Sequence, residues 1–313
     1  MYRSLAAILA AVTLLTTTPA EAAERLTVML DWFLNPDHGP LVVADKMGFF
    51  AEQDLTVELI APADPNDPPK LVAAGKADLA ISYQPQLHLQ VAEGLPLVRV
   101  GTLVATPLNS LVVLADGPVK TIADLKGRKI GFSVGGFEDA LLRRMLGSAG
   151  LAPEDVTLIN INFALTAALL SGQVDAVIGA FRNFELNQLD LEGRPGRAFF
   201  PEELGVPAYD ELIFVARNDR LGDPRLPRFL AAVERAVIYM INHPDESWDL
   251  FRQVRPELND ELNRRAWRDT LPRFAHSPGA LDRGRYDRFA RFLESEGLLR
   301  SVPAVETYAI DLP

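Results

Sequence analysis

Cysteine is absent from this chain of 313 residues. Its absence excludes a disulfide framework, a thiol nucleophile and a lipid attached through cysteine at a processing site. Histidine occurs only at His38, His88, His243 and His276, with no paired spacing, so a metal site is not expected. Phosphate-loop, HExxH and GxSxG patterns are missing, and no catalytic triad is patterned. Basic residues are the minority, 31 against 42 acidic ones, and the net charge of −11 makes phosphate backbones and anionic membranes poor partners. Beyond the N-terminus no apolar run is long enough to span a bilayer.

What is present begins with an export signal. Arg3 supplies a positive start, residues 5–15 an apolar run, and Ala20-Glu21-Ala22 a small-x-small cleavage site. Residues 1–22 therefore read as a secretory signal peptide, excluded from the fold. An uncleaved anchor helix is the alternative, but the apolar run is short and ends in Thr16-Thr17-Thr18-Pro19. A free, non-lipidated protein of a Gram-negative periplasm fits best. With 48% apolar residues the chain can bury a large core, and its length suggests two domains. An exported acidic protein of that kind is more often a binder or a hydrolase than a cofactor-dependent enzyme.

Strands separated by short helices run through the chain. Leu26-Thr27-Val28-Met29-Leu30, Thr56-Val57-Glu58-Leu59-Ile60 and Ala77-Asp78-Leu79-Ala80-Ile81-Ser82 read as strands, with helices at 41–44 and 70–74 between them. Such βαβ units imply a mostly parallel sheet. An internal echo follows. Leu71-Val72-Ala73-Ala74-Gly75-Lys76-Ala77-Asp78-Leu79-Ala80-Ile81 is matched at the same spacing by Ala168-Leu169-Leu170-Ser171-Gly172-Gln173-Val174-Asp175-Ala176-Val177-Ile178. In each, a helix ends on glycine, a turn carries one aspartate and a strand begins. Two similarly built α/β lobes follow from the match, with chance similarity of two turns as the alternative. The expected division is 23–112 plus 215–313 for lobe 1 and 113–214 for lobe 2, with a hinge where the chain crosses near 109–115 and 209–217. From Pro227 onward the pattern is helical, with Leu230, Val233, Val237 and Ile241 on one face. Helices over 259–270 and 284–295 are expected to pack on lobe 1.

Three places could carry chemistry. Leu30-Asp31-Trp32-Phe33-Leu34-Asn35-Pro36-Asp37-His38-Gly39-Pro40 joins a strand end to a helix start, where backbone N–H groups and side chains face a cleft. Trp32 can stack on a flat heteroaromatic ring while Asp31, Asn35 and His38 address its polar edge. Equally, it is a βα turn with Asn35-Pro36 as turn former, Trp32 as core filler and Asp37 as helix cap. Gly135-Gly136, between a strand over 129–134 and a helix over 138–148, is a cradle for a polar group or simply a tight turn. Tyr83 and Glu185 follow corresponding strands of the two copies, and would face one another across the cleft. A carboxylate at Glu185 can accept from an exocyclic amino group and a ring N–H, or it is a first-turn acid favouring the helix dipole.

Five pieces of the chain resemble one family. They are Leu30-Asp31-Trp32-Phe33-x-Asn35-x-x-His38, Gly48-Phe49-Phe50-Ala51-Glu52, Gly75-Lys76-Ala77-Asp78, Leu125-Lys126-Gly127-Arg128-Lys129-Ile130-Gly131 and Asp175-Ala176-Val177-Ile178-Gly179. Over nearly the whole mature chain the sequence resembles the ThiY-like solute-binding proteins of ABC importers, which share a superfamily with the thiamin-pyrimidine synthases of fungi. The resemblance implies a type II periplasmic binding fold: two α/β lobes joined by a two-strand hinge. It also implies a monomer that binds a thiamin-pyrimidine precursor, such as a formylaminopyrimidine or hydroxymethylpyrimidine, and delivers it to a membrane permease. Trp32 and Tyr83 would stack on the ring, Glu185 would accept its amino group, Asp31, Asn35 and His38 would orient it, and Ser133, Gly135 and Gly136 would hold the substituent.

The synthases that the chain resembles use a lysine just after the third strand to hold pyridoxal phosphate, and a cysteine-rich run before the return strand. Here the aligned position is Ser82 and cysteine is absent. No enzyme activity and no cofactor are therefore expected. Alternatives are a pyridoxal-phosphate-consuming pyrimidine synthase, or a binder of another solute such as riboflavin, taurine or another sulfonate, or a nitrile-derived compound.

Overall fold

Short apolar runs that are covered on both sides form strands here, and amphipathic segments between them form the covering helices. The protein, a computed structural model, is described over residues 23–312, so the signal peptide read over 1–22 lies outside the described residues. The first half supplies β1 (Glu24–Met29), α1 (Gly39–Lys46), β2 (Leu55–Ile60), α2 (Pro68–Ala73), β3 (Leu79–Ser82), α3 (Gln84–Ala92) and β4 (Leu97–Val104). A second group follows: β5 (Asn109–Leu114), β6 (Lys129–Phe132), α4 (Phe137–Gly147), β7 (Thr157–Asn160), α5 (Leu165–Leu170), β8 (Ala176–Phe181), α6 (Glu185–Leu191) and β9 (Gly196–Phe199). The chain then returns through β10 (Leu212–Arg217) to a helical tail of α7 (Arg225–Asn242), α8 (Pro244–Arg252), α9 (Glu261–Thr270) and α10 (Arg283–Ser295).

Two five-stranded sheets result, ordered β2-β1-β3-β10-β4 and β7-β6-β8-β5-β9. Four strands in each point the same way, and the remaining one, β10 or β5, is antiparallel to both its neighbours. Each of those antiparallel strands is the one that follows a crossing between lobes, so the two lobes share one plan. Two α/β lobes joined by two crossings is the fold expected from the sequence. The divisions expected after residues 112 and 214 fall inside β5 and β10, each of which pairs within a single sheet; the crossings run over 105–108 and 200–211.

The internal echo has a physical basis in both copies. Gly75 and Gly172 end their helices at φ of +70° and +73°, a left-handed conformation that glycine adopts without strain. The aspartate of each turn then holds the neighbouring strand: Asp78 accepts from the Thr27 N–H at 2.8 Å, and Asp175 from the Lys129 N–H at 2.9 Å. Each also meets an arginine, Arg225 or Arg128.

Helices α1, α7 and α8 pack together over the first sheet. The buried stripe of α7 is Leu226, Phe229, Leu230, Val233, Ala236, Val237 and Met240. Ile241, placed on that face by the sequence pattern, is 40% exposed, because the helical repeat carries it past the stripe that Met240 closes. Helix α9 differs from expectation in another way. Trp267 anchors it in the first lobe beside Phe251, yet its outer side reaches the second lobe, where Arg265 pairs with Asp190 and Asp269 accepts from Asn187.

Candidate ligand-binding cleft

The loop after β1 is built around a cap. Asn35 Oδ1 accepts the Asp37 N–H at 2.8 Å, and the Asn35 N–H donates to His38 Nδ1 at 3.2 Å. With Nδ1 used as an acceptor, the imidazole proton sits on Nε2, which donates to Asp31 Oδ1 at 2.9 Å. The other Asp31 oxygen accepts from the Tyr83 hydroxyl at 3.0 Å. Three side chains from two strand ends are thereby locked, and the Tyr83 ring stacks on Phe137 of the second lobe with centroids 4.8 Å apart. Burial and the adjacent Asp31 carboxylate push the Tyr83 hydroxyl well above its ordinary pKa, so it stays a donor.

Asp37 crosses to the other lobe. It is not the helix cap; its Oδ1 accepts from Asn183 Nδ2 at 2.6 Å and from Thr270 Oγ1 at 2.9 Å. Burial pushes its pKa up to about 6 against the opposing pull of these donors.

The second lobe presents one device twice. In Phe137-Glu138 and Phe184-Glu185, a phenylalanine and a glutamate open the helix that follows a strand end. Each glutamate folds back onto that strand end: Glu138 Oε2 accepts the Ser133 N–H at 2.9 Å, and Glu185 Oε2 the Phe181 N–H at 2.7 Å. Both are buried, so desolvation raises both pKa values despite the backbone bonds, to about 8 for Glu185 and well above the ordinary range for Glu138. Gly179 makes room for Glu138. Its φ is +94°, and a Cβ there would lie 2.3 Å from Glu138 Oε1.

Between these groups lies a narrow cleft with about 30 Å³ of free volume, lined from the first lobe by Asp31, Trp32, Asn35, Asp37 and Tyr83. From the second lobe come Ser133, Phe137, Glu138, Leu165, Gly179, Phe181 and Glu185, among others. Trp32 closes one side, its ring meeting Phe163 of the second lobe edge-on with centroids 4.5 Å apart. Four of the lining residues are carboxylic acids, and none is lysine or arginine. Among the described residues no cluster of His, Asp and Glu is set to hold a metal ion, and no helix is long and apolar enough to cross a membrane.

Residues 35–247 match the family described as NMT1/THI5 like. The chain belongs to that family. It is 55% identical over 300 residues to a Haemophilus influenzae protein named as a thiamine biosynthesis protein, covering 96% of each. It is 36% identical over 249 residues to the formylaminopyrimidine-binding protein of Halalkalibacterium halodurans, covering 79% of this chain and 76% of that one. At 28% identity over 281 residues, 86% of this chain and 88% of that one, it also resembles the 4-amino-5-hydroxymethyl-2-methylpyrimidine phosphate synthase of Legionella pneumophila. The fold matches the alkanesulfonate-binding protein SsuA of Xanthomonas axonopodis pv. citri, with a TM-score of 0.72 at 20% identity over 93% of this chain and 99% of that one. At that identity the likeness speaks for the fold, which is that of the periplasmic binding proteins.

In this NMT1/THI5-like chain the cleft gathers six of the nine residues singled out from the sequence: Asp31, Trp32, Asn35, Tyr83, Ser133 and Glu185. Three stand outside its lining. His38 is fully buried behind Asp31. The Gly135 N–H donates to Asn66 Oδ1 of the first lobe at 3.0 Å, and the Gly136 N–H to Asp139 Oδ2 at 3.3 Å, so neither donor is turned to the cleft. Asn35 spends its side chain on the turn, and the Ser133 hydroxyl donates to the Asn162 carbonyl. Sequence reading missed Asp37 and Glu138 as cleft residues. The repeated Phe-Glu pair was the signal available for Glu138.

Proposed function

We propose that this protein is the periplasmic substrate-binding component of an ABC importer, and that its cargo is a thiamin-pyrimidine precursor, a formylaminopyrimidine or hydroxymethylpyrimidine. The observation that carries this reading is the cleft's acidity without a cation: Asp31, Asp37, Glu138 and Glu185 line it, with no Lys or Arg among the lining residues. Such a site favours a guest that brings hydrogen-bond donors and disfavours a sulfonate or phosphate, whose charge would meet carboxyl groups. An aminopyrimidine meets that requirement: it is flat, small and edged with N–H donors. The 36% identical relative named for formylaminopyrimidine binding supports the same cargo.

In this reading Trp32 and the free face of Tyr83 bracket the ring, and Glu185 accepts its amino group. Asp31 serves as the clamp on Tyr83, with His38 behind it. Asn35 shapes the loop, and Ser133, Gly135 and Gly136 shape the turn beside the ring substituent. The lobes, divided at the two crossings, close on the ligand, and closure forms the surface that a permease reads. Export to the periplasm rests on residues 1–22, and a monomer suffices because both walls of the cleft come from one chain.

The synthase reading is disfavoured at two points. Ser82, at the position where the resemblance calls for a lysine, is buried and donates to Gln86 Oε1 at 3.0 Å. Pyridoxal phosphate would also bring a phosphate to an acidic cleft.

Calorimetric titration with hydroxymethylpyrimidine and with its formylamino analogue tests the proposal; no heat from either removes the ligand. Glu185→Gln is the sharper probe. Because Oε2 is held by the Phe181 N–H, a glutamine would keep its oxygen there and turn its NH₂ toward the guest's own amino group. Measured above pH 8, where Glu185 is ionised, binding should weaken by roughly 1.5–3 kcal/mol. An unchanged affinity would return Glu185 to a first-turn helix acid.

A further inference from the structure

The segment from Ala61 to Pro69, which runs from β2 into the start of α2, has no task in the cleft. It carries four prolines, and Pro62, Pro65, Pro68 and Pro69 are all buried, so the backbone between them is held stiffly. Within it Asn66 is oriented from its own side: Asp64 Oδ1 accepts the Asn66 N–H at 2.8 Å and one hydrogen of Asn66 Nδ2 at 2.9 Å. A carboxylate only accepts, so the amide oxygen is turned the other way. It meets the second lobe. Asn66 Oδ1 accepts the Gly135 N–H at 3.0 Å, and the remaining Nδ2 hydrogen goes to the Ser133 carbonyl at 3.2 Å. A carbonyl and the N–H two residues further on are what a strand offers a parallel neighbour, and the Asn66 carboxamide answers them as a peptide group would.

The place of this contact gives it leverage. β2 is the outermost strand of the first sheet and β6 lies next to the outermost of the second, whereas the crossings leave from β4, β5, β9 and β10 on the other side of each sheet. Groups far from a hinge travel furthest when lobes part, so these two bonds are made only with the lobes together. The turn that they hold is also a wall of the cleft, since Ser133 and Val134 line it. We propose that Asn66 is a positioning residue, a clasp that sets how long the closed form lasts and hence how slowly a captured guest leaves. It acts through the Ser133 to Gly135 backbone and not by touching the guest. This rests on the reading of the protein as a solute binder whose lobes close, and not on which solute it holds.

The chain has no cysteine, so one can be placed on each outermost strand, at exposed Thr56 of β2 and exposed Thr157 of β7, to carry a pair of spin labels. In the labelled mature protein without ligand, Asn66→Ala should raise the ratio of separated to joined lobes about tenfold, the effect of two lost hydrogen bonds. Asn66→Asp should part them at least as far, because a carboxylate would face both Asp64 and the Ser133 carbonyl. Stopped-flow measurements with hydroxymethylpyrimidine and its formylamino analogue should show the guest leaving Asn66→Ala about tenfold faster while associating no more slowly than with wild type, a split that a damaged fold would not give. Thermal melts of each variant accompany both measurements. The clasp is overturned if lobe separation and dissociation rate both stay at their wild-type values, or if weaker binding comes from slower association; either expected change without slower association upholds it. If neither pyrimidine binds, the cargo reading falls by itself, and the ligand-free distances decide the clasp: a shift to longer separation in Asn66→Ala upholds it, and no shift removes it.

Discussion

Buried carboxyls dominate the chemistry of single residues here, and they set a pH dependence whose sign can be worked out. Burial pushes Asp37 up to about 6, Glu185 to about 8 and Glu211, a buried acid beside the crossings that accepts the Leu108 and Asn109 N–H groups, to about 7 in the folded chain. Between the ordinary carboxyl range and those values the folded protein holds protons that the unfolded chain has lost. Stability from these groups is therefore complete below about pH 4 and drains as pH rises through 6, 7 and 8. Melting temperature of the ligand-free protein should fall from pH 5 to pH 8, and Glu185→Gln should melt higher than wild type at pH 8 while matching it at pH 5. A flat profile would mean that these acids ionise freely in the folded state. Asp31, Trp32, Tyr83 and Glu185 were legible in the sequence alone, the first three because they follow strand ends and the last because it repeats Tyr83's place in the second copy. Glu138 was not. A glutamate in the first turn of a helix reads as a dipole partner, and its role depends on the left-handed Gly179 across the strand pair, which no local pattern exposes.

Among the elements, the helix-turn-strand unit used twice is the clearest case of sequence dictating structure. Glycine, one aspartate and an apolar run suffice to end a helix, pin the adjacent strand and enter the sheet. Asp78 and Asp175 do the pinning, so Asp175→Ala should cost about 1–3 kcal/mol of unfolding free energy, read from urea denaturation. Asp78→Ala should cost more than Asp175→Ala, because Asp78 also accepts from the Thr27 hydroxyl and meets Arg225 at 2.8 Å. Equal, negligible losses would make the echo a chance likeness of turns. Elements with weaker patterns were placed less well. Helix α8 was not separately assigned: His243-Pro244 reads as a helix end, but the next helix starts at once, after a single residue. The reach of α9 across to α6 was invisible, because Asn187, Asp190, Arg265 and Asp269 look like ordinary solvated charges until the lobes meet.

At the scale of the whole molecule, the two lobes touch on both sides of the cleft. Asn66 holds the Gly135 turn, Asp37 and Thr270 hold Asn183, and Trp32 meets Phe163. Any opening that admits a ligand must part these contacts together, since each joins one lobe to the other. Of three tryptophans in the chain, Trp248 and Trp267 pack with Phe251 inside the first lobe and stay with it. The indole at position 32 alone straddles the seam. The protein thus carries its own optical gauge: opening should hydrate that one chromophore and shift its emission to the red, and capture of a guest should shift it back. Trp32→Phe should silence the signal without disturbing the light from the other two, and a wild-type spectrum indifferent to a bound guest would mean that the seam never parts there.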